Sequence, residues 1–126
     1  MSNQKLVWKK KPEKEDYDGA LNFLSLICSD RQAQKLVRAL RKAKTVERAA
    51  KDLLRAGNLP LLQRDEPHVD DDLKKIHKGK PLAPVLLVQG EMANGLPLIV
   101  ADGYHRICAI CYYDENAPIA CRMTST

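Results

Sequence analysis

The segment from Leu96 to Ala109 constrains the fold of this 126-residue chain more than any other segment. An apolar run ends in an Asp-Gly pair, and a stretch typical of a helix follows it. A short apolar run bounded by turn residues is typical of a buried strand, and glycine accepts backbone angles that other residues avoid. The segment therefore predicts a buried strand, a tight turn at Gly103 and a helix that starts where the strand ends.

The start of this helix predicts an anion site. The first N–H groups of a helix lack intrahelical partners and carry partial positive charge, so they attract anions. His105 and Arg106 add donors at the same place, and a guanidinium matches two phosphate oxygens at once. We therefore expect Gly103, Tyr104, His105 and Arg106 to bind a phosphate group. The glycine spacing is neither that of a P-loop nor that of a dinucleotide fold.

The run Asp102-Gly103-Tyr104-His105-Arg106 resembles the Asp-Gly-His-His-Arg box of the ParB/sulfiredoxin superfamily. Four other segments are similar to elements of that family in the same order: residues 59–62 to its opening strand, 69–76 to its first helix, 84–88 to the next strand and 117–122 to its closing strand. The resemblance covers residues 58–123. It implies an α+β fold, with a small mixed sheet and flanking helices, and a site for a nucleotide or another phosphate ligand.

Members of this superfamily differ in activity, and the box indicates which activities to expect here. The superfamily includes partition proteins that clamp DNA, ATP-dependent sulfiredoxins, a free-serine kinase and ParB-like nucleases. Tyr104 stands where sulfiredoxins have their catalytic cysteine, so sulfiredoxin chemistry is not expected. The second arginine of the partition-protein box is also absent.

Acidic residues are the candidates for catalysis and for cation binding. The resemblance places Asp65 and Glu66 close to the phosphate site, where a carboxylate could hold Mg²⁺ or act as a general base. We expect Mg²⁺ at these two residues together with a nucleoside di- or triphosphate. Asp102 is the third catalytic candidate, and its carboxylate could also cap the helix, orient Arg106 or share a cation.

Two further features lie just after Glu66. The residues from Asp70 to Asp72 are expected to complement the dipole at a helix start. His68 is expected to be a loop or capping residue.

The positive charge of the chain is concentrated in residues 31–55, where nine basic residues face only Glu47 and Asp52. Apolar spacing predicts three helices here and just upstream, the first capped by Asp16 or Asp18 and the third by Thr45. Two basic stripes result, one of Arg31, Lys35, Arg38 and Lys42 and one of Arg48, Lys51 and Arg55. Such stripes either contact the phosphates of a nucleic acid or form a solvated face.

These patterns divide the chain into three parts. Residues 1–15 are expected to be a flexible tail with a short docked patch around Trp8, residues 16–57 a basic helical segment and residues 58–126 the ParB/sulfiredoxin-like domain.

Cysteine usage and hydropathy indicate the cellular compartment and the state of the thiols. No apolar run approaches the ~20 residues that span a bilayer, and no signal peptide is recognisable, so we expect a cytoplasmic protein with reduced thiols and no membrane partner. His105, Cys108 and Cys111 lie three residues apart, which spreads them around a helix, and no zinc is expected in this protein. Cys108 is expected to be a buried, unactivated thiol.

Three functions remain open from the sequence. The first is binding of a nucleotide at the Gly103–Arg106 helix start, with phosphoryl transfer or hydrolysis as a further step. The second is a DNA-binding or nuclease-like protein that uses the basic helices of residues 31–55. The third is an interaction module without catalysis.

Overall fold

The computed structural model describes residues 5–126, which form five α-helices, one short 3₁₀ turn (Met92–Asn94) and four strands. In chain order the elements are α1 (Lys14–Leu24), α2 (Asp30–Lys42), β1 (Val46–Ala49), α3 (Ala50–Ala56), α4 (Pro67–His77), β2 (Val85–Val88), β3 (Ile99–Asp102), α5 (Tyr104–Asp114) and β4 (Pro118–Thr124). The expected α+β class is confirmed.

The four strands form one mixed sheet in the order β1-β4-β2-β3. The central strands β2 and β4 are parallel, with Val85 opposite Cys121, and each edge strand is antiparallel to its neighbour. All four residues of β2 are buried, as expected for a central strand covered on both faces.

The sheet separates two hydrophobic cores. Side chains alternate along β2, so Val85 and Leu87 pack with α3, α4 and α5, whereas Leu86 and Val88 pack with α1 and α2. The molecule is therefore layered, and α2 and α3 lie on opposite faces of the sheet.

The prediction of a long third helix capped by Thr45 was wrong. Val46–Ala49 is a strand that pairs with β4, and the helix covers only Ala50–Ala56. Pairing satisfies the backbone groups along this edge of β4, and this gain outweighs the local helical preference of the segment. Arg48 consequently lies on strand β1, whereas Lys51 and Arg55 lie on α3.

The predicted opening strand at residues 59–62 was also wrong, because this segment forms no strand. The hydroxyl of Tyr104 donates to the carbonyl of Pro60, and that of Tyr112 donates to the carbonyl of Leu62 at 2.6 Å. These two bonds hold the segment against α5. The predicted helix near residues 69–76 and the strands near 84–88 and 117–122 are confirmed by α4, β2 and β4.

The first helix begins earlier than expected. Its N-cap is Glu13, not Asp16 or Asp18, and the carboxylate of Asp16 accepts the Glu13 N–H at 2.7 Å. Upstream, Lys9 donates its N–H to the Leu82 carbonyl, and Leu82 donates its own N–H to the Val7 carbonyl, both at 2.8 Å. This is the docked patch expected around Trp8. Residues 1–4 of the predicted tail lie outside the described residues.

Within residues 5–126, no helix combines the length and the apolar character needed to cross a membrane.

Candidate functional site

The turn between β3 and α5 has the conformation predicted from the sequence. Gly103 has a φ of 108° and is the N-cap of α5. A Cβ added there would lie 2.5 Å from Cγ1 of Val85 and 2.9 Å from Nη2 of Arg106. The position therefore requires glycine both for its backbone angle and for space. Gly103 also has no side chain that could cap the first N–H groups of α5.

Arg106 is held by two carboxylates. Its Nη2 donates to Oδ2 of Asp102 at 2.8 Å, and its Nη1 donates to Oδ1 of Asp16 at 3.1 Å. The Arg106 side chain is only 15% exposed, so these ion pairs are largely shielded from water. Of the roles open to Asp102 in the sequence, the structure shows the pairing with Arg106. Within residues 5–126, no side chain caps the start of α5.

Burial raises the pKa of Asp102 to about 6. The Arg106 guanidinium opposes this increase, and the neighbouring carboxyl of Asp16 adds to it. Two carboxyls close together do not both ionise easily, so a proton is retained here at a higher pH than usual. The Nε atom of Arg106 is buried and has no hydrogen-bond partner among the described residues.

A cavity of about 230 Å³ opens between α4 and the start of α5. Its lining includes His68, Asp71, Asp72 and Lys75 from α4, and Gly103 and His105 from the α5 side. Arg106 and its two aspartates form another part of the wall. Burial raises the pKa of Asp72, and Lys75 opposes that increase from an Nζ–Oδ1 distance of 3.8 Å.

A carboxylate and two imidazoles meet at the edge of this cavity. Glu66 is the N-cap of α4 and accepts the N–H groups of His68 at 3.2 Å and Val69 at 3.0 Å. Its Oε1 lies 2.9 Å from Nδ1 of His68, and its Oε2 lies 3.7 Å from Nε2 of His105. The two imidazole centroids are 4.7 Å apart.

Hydrogen bonds determine the charge of the Glu66 carboxyl. Partial burial acts to raise the pKa of Glu66, but the bonds from His68 and Val69 and the charge of His105 lower it to about 2. The hydrogen bond and the negative charge of Glu66 in turn raise the pKa of His68. At neutral pH Glu66 is therefore a carboxylate.

The predicted site residues are only partly brought together. Asp102, Gly103, His105 and Arg106 line the cavity, and Glu66 contacts it through His68 and His105. The side chain of Asp65 is exposed and does not line this cavity. Tyr104 instead anchors the segment at Pro60, and its ring packs with the core below α5.

Sequence analysis did not assign Asp16 to the site, and it interpreted the acidic residues Asp70 to Asp72 of α4 as a complement to the helix dipole. Asp16 is 90 residues away from Arg106 and no local pattern connects them. On α4, by contrast, the signal was present: His68, Asp72 and Lys75 recur at helical spacing, which places them on one face.

The basic residues are also divided by the fold. Arg31, Lys35, Arg38 and Lys42 are all exposed on α2, at the steps of four, three and four that form one stripe. Arg48 is exposed on edge strand β1, and Lys51 and Arg55 are exposed on α3, beyond the opposite face of the sheet. The seven residues therefore do not form one surface.

The cysteines do not take part in the candidate site. Cys108 is fully buried, and this burial raises the pKa of its thiol. Burial also raises the pKa of Cys111, to about 11. Both thiols are protonated at neutral pH, as expected for Cys108 from the sequence.

Comparisons of the chain with models of protein families, with curated proteins and with solved structures gave no match.

Proposed function

We propose that the cavity between α4 and α5 binds a phosphate-bearing ligand, and specifically a nucleotide. The observation that supports this most directly is the convergence of a glycine-capped helix start with Lys75, His68 and His105 around one cavity. Backbone N–H groups at a helix start and cationic side chains are the usual partners of phosphate in proteins. The resemblance of residues 58–123 to the ParB/sulfiredoxin superfamily points to the same ligand class.

The carboxylates in the cavity favour a ligand that carries Mg²⁺. Asp16 and Asp102 pair with Arg106, whereas Asp71 and Asp72 face the cavity and the only ion pair between them and a cation of residues 5–126 is the one from Asp72 to Lys75 at 3.8 Å. Mg²⁺ takes oxygen ligands and is usually held by one or two carboxylates plus substrate phosphates. We therefore place the cation at Asp71 and Asp72, whereas the sequence had indicated Asp65 and Glu66.

Lys75 is the side chain that should contribute most to phosphate affinity. Both terminal nitrogens of Arg106 already donate to carboxylates, which reduces its capacity to hold a further anion. The Lys75 ammonium is half exposed, and its nearest carboxylate oxygen lies 3.8 Å away. Phosphoryl transfer would need a base as well, and Asp102, whose pKa burial raises to about 6, is the carboxyl that we propose for this role.

Binding can be tested with ATP, ADP, GTP and pyrophosphate, each with and without Mg²⁺, by calorimetry and by thermal unfolding. A ligand present at 100 times its Kd adds about 2.7 kcal/mol to the free energy of unfolding, which is readily measured. Lys75→Gln should weaken binding about tenfold or more, because a charge-assisted contact is lost.

Lys74→Gln is the matched control. Lys74 is the neighbouring residue on the same helix, pairs with Asp70 at 3.0 Å and does not line the cavity. Equal affinities of the two variants, or the absence of binding by any of the phosphates, would contradict the proposal.

The stripe on α2 supports a second candidate function, binding of double-stranded DNA. Four exposed cations lie on one face of this helix, and Asp30 is its sole acidic residue. Cations in such a row can replace the counterions of a phosphate backbone, and the affinity then falls by about 0.9 log units per contacted phosphate for each log unit of salt.

The test is a salt series of DNA binding with the chain and with the quadruple change of Arg31, Lys35, Arg38 and Lys42 to glutamine. The change should abolish binding, while Lys51→Gln with Arg55→Gln on the opposite face should have little effect. Binding that does not depend on salt, or no binding at low ionic strength, would leave α2 as a solvated face. If nucleotides and DNA both fail to bind, the interaction module becomes the better interpretation.

A further inference from the structure

We infer that Glu66, His68 and His105 form a binding site for a divalent transition metal ion of the zinc type. One ligating atom from each of these side chains lies within 4.8 Å of those from the other two. His68 follows the α4 N-cap by two residues, whereas His105 belongs to the first turn of α5. The three groups therefore come together only in the folded chain.

The distances fit coordination of a single ion. Zinc bonds to imidazole nitrogen and carboxylate oxygen are about 2.0–2.2 Å long, so two ligands of a tetrahedral ion are roughly 3.4 Å apart. The separations of 2.9 Å from Glu66 to His68 and 3.7 Å from Glu66 to His105 lie on either side of that value. These two distances are to different oxygens of the Glu66 carboxylate, and the three ligating atoms lie within 4.8 Å of one another, so side-chain rotations of about an ångström would bring them around one ion.

Helix capping alone does not account for this arrangement. The cap uses the N–H groups of His68 and Val69, and it places no requirement on His105. The imidazole of His105 nevertheless points Nε2 toward Glu66 and lies beside the imidazole of His68. Two adjacent imidazoles with a carboxylate are a donor set that selects zinc and related ions, whereas Mg²⁺ prefers oxygen ligands.

The surroundings also permit an ion to enter and stay. The side chains of His68 and His105 are 73% and 43% exposed, so the ligands can be reached from solvent. Both helix starts disfavour a cation at this place, but Asp71 and Asp72 line the same cavity and oppose that effect. With three protein ligands, one coordination position remains for water or another oxygen donor.

The sequence led us to expect no zinc, because His105, Cys108 and Cys111 are spread around a helix, and the present site uses a different set of ligands. It also goes beyond the proposed nucleotide site, since the ion would bind without any phosphate ligand. The experiment below is therefore done in phosphate-free buffer with the metal alone.

The probe is Co²⁺, titrated into the tag-free, metal-stripped chain and followed by visible absorption, with Zn²⁺ as the competitor. We expect one Co²⁺ per chain, a spectrum without thiolate charge-transfer bands, and displacement by Zn²⁺. His68→Gln and His105→Gln should each weaken binding at least about tenfold, because each removes a ligand.

His77→Gln is the matched control, since the third histidine of the chain is exposed on the same helix α4 and contacts Tyr113 edge to face. Its affinity for Co²⁺ should equal that of the unchanged chain. Circular dichroism confirms that each variant is folded before the affinities are compared.

Three outcomes would overturn the inference: no Co²⁺ binding, an equal loss in His77→Gln, or thiolate bands showing that cysteines are the ligands. Lys75→Gln separates the two proposals, because it should lose nucleotide affinity and keep Co²⁺ affinity. A chain that binds Co²⁺ but no nucleotide would support the metal site and reject the nucleotide site.

Discussion

Charged side chains occupy two very different environments in this protein, the start of α5 and the exposed face of α2. Arg106 is 15% exposed and contacts carboxylates at 2.8 and 3.1 Å. The four basic residues of the α2 stripe are exposed, and none of them forms an ion pair within residues 5–126. The three charges around Arg106 depend on one another, whereas the four charges of the α2 stripe act separately.

The two regions differ in how far their charged side chains are exposed to water. A charge removed from water needs a partner, so the loss of one member of a buried pair is costly. Exposed charges are screened by water and salt, so each contributes little to folding. Substitutions at the α5 start should therefore change stability, whereas substitutions on α2 should change only what the surface binds.

The largest effect is expected at the turn that brings the buried charges together. Gly103→Ala forces an L residue to a φ of 108° and places its Cβ 2.5 Å from Val85, so the free energy of unfolding should fall by about 3–5 kcal/mol. Urea unfolding measures this change. Gly95→Ala is the control, since its φ is also positive, 67°, but no atom of the described residues beyond its chain neighbours lies within 4 Å of the added Cβ, and it should cost about 1 kcal/mol. Similar losses in both variants would show that packing at Gly103 is unimportant.

Removal of the Arg106 guanidinium should have the next largest effect on the free energy of unfolding. Arg106→Met keeps much of the side-chain volume but leaves Asp16 and Asp102 without a counter-charge, so it should lower the free energy of unfolding by about 2–4 kcal/mol at pH 7. Part of this loss should be recovered at pH 5, where Asp102 takes up a proton. Arg38→Met on α2 is the comparison and should change stability by less than about 0.5 kcal/mol. Equal effects would remove the contrast between the two regions.

The pH dependence of the free energy of unfolding should reflect the protonation of Asp102. Its pKa of about 6 in the folded chain exceeds the ordinary 3.8, so the folded state binds more protons between these values. That contribution is complete below about pH 3.8 and is lost as the pH rises through 6.

The measurement is the free energy of unfolding of the unchanged chain and of Asp102→Asn between pH 4 and pH 7. The advantage of the unchanged chain over the variant should shrink by about 1–2 kcal/mol as the pH rises, a range reduced because the side chain is partly exposed. Subtraction of the two curves cancels the opposite contribution of Glu66. A difference that stays constant with pH would show that Asp102 is ionised throughout.

The smallest effect on stability is expected for the α2 stripe. Changing Arg31, Lys35, Arg38 and Lys42 singly to glutamine should alter the free energy of unfolding by no more than about 0.5 kcal/mol each. Thermal unfolding at low and high salt provides the measurement. A loss of several kcal/mol for any one of them would mean that the stripe supports the fold and is not a free surface.

Local sequence signals predicted those parts of the structure that depend on neighbouring residues. The turn at Gly103, the helix that follows it and the buried strand β2 all follow from short apolar patterns and one glycine. The segment Val46–Ala49 was predicted wrongly, because its state depends on a partner, β4, that lies about 70 residues further along the chain. The failure at residues 59–62 has a similar origin, since hydroxyl groups from α5 hold this segment.

In the candidate site, too, some features follow from neighbouring residues and others depend on residues that are distant in the chain. The sequence by itself determined that Gly103, His105 and Arg106 stand at a helix start and that the basic residues of α2 lie on one stripe. Only the tertiary structure decided that Arg106 pairs with Asp16, that His105 meets Glu66, and that the basic residues of α2 and α3 are separated by the sheet. The physical reason is that backbone geometry and helical periodicity act within a few residues, whereas a contact between distant charges exists only after packing has brought their elements together.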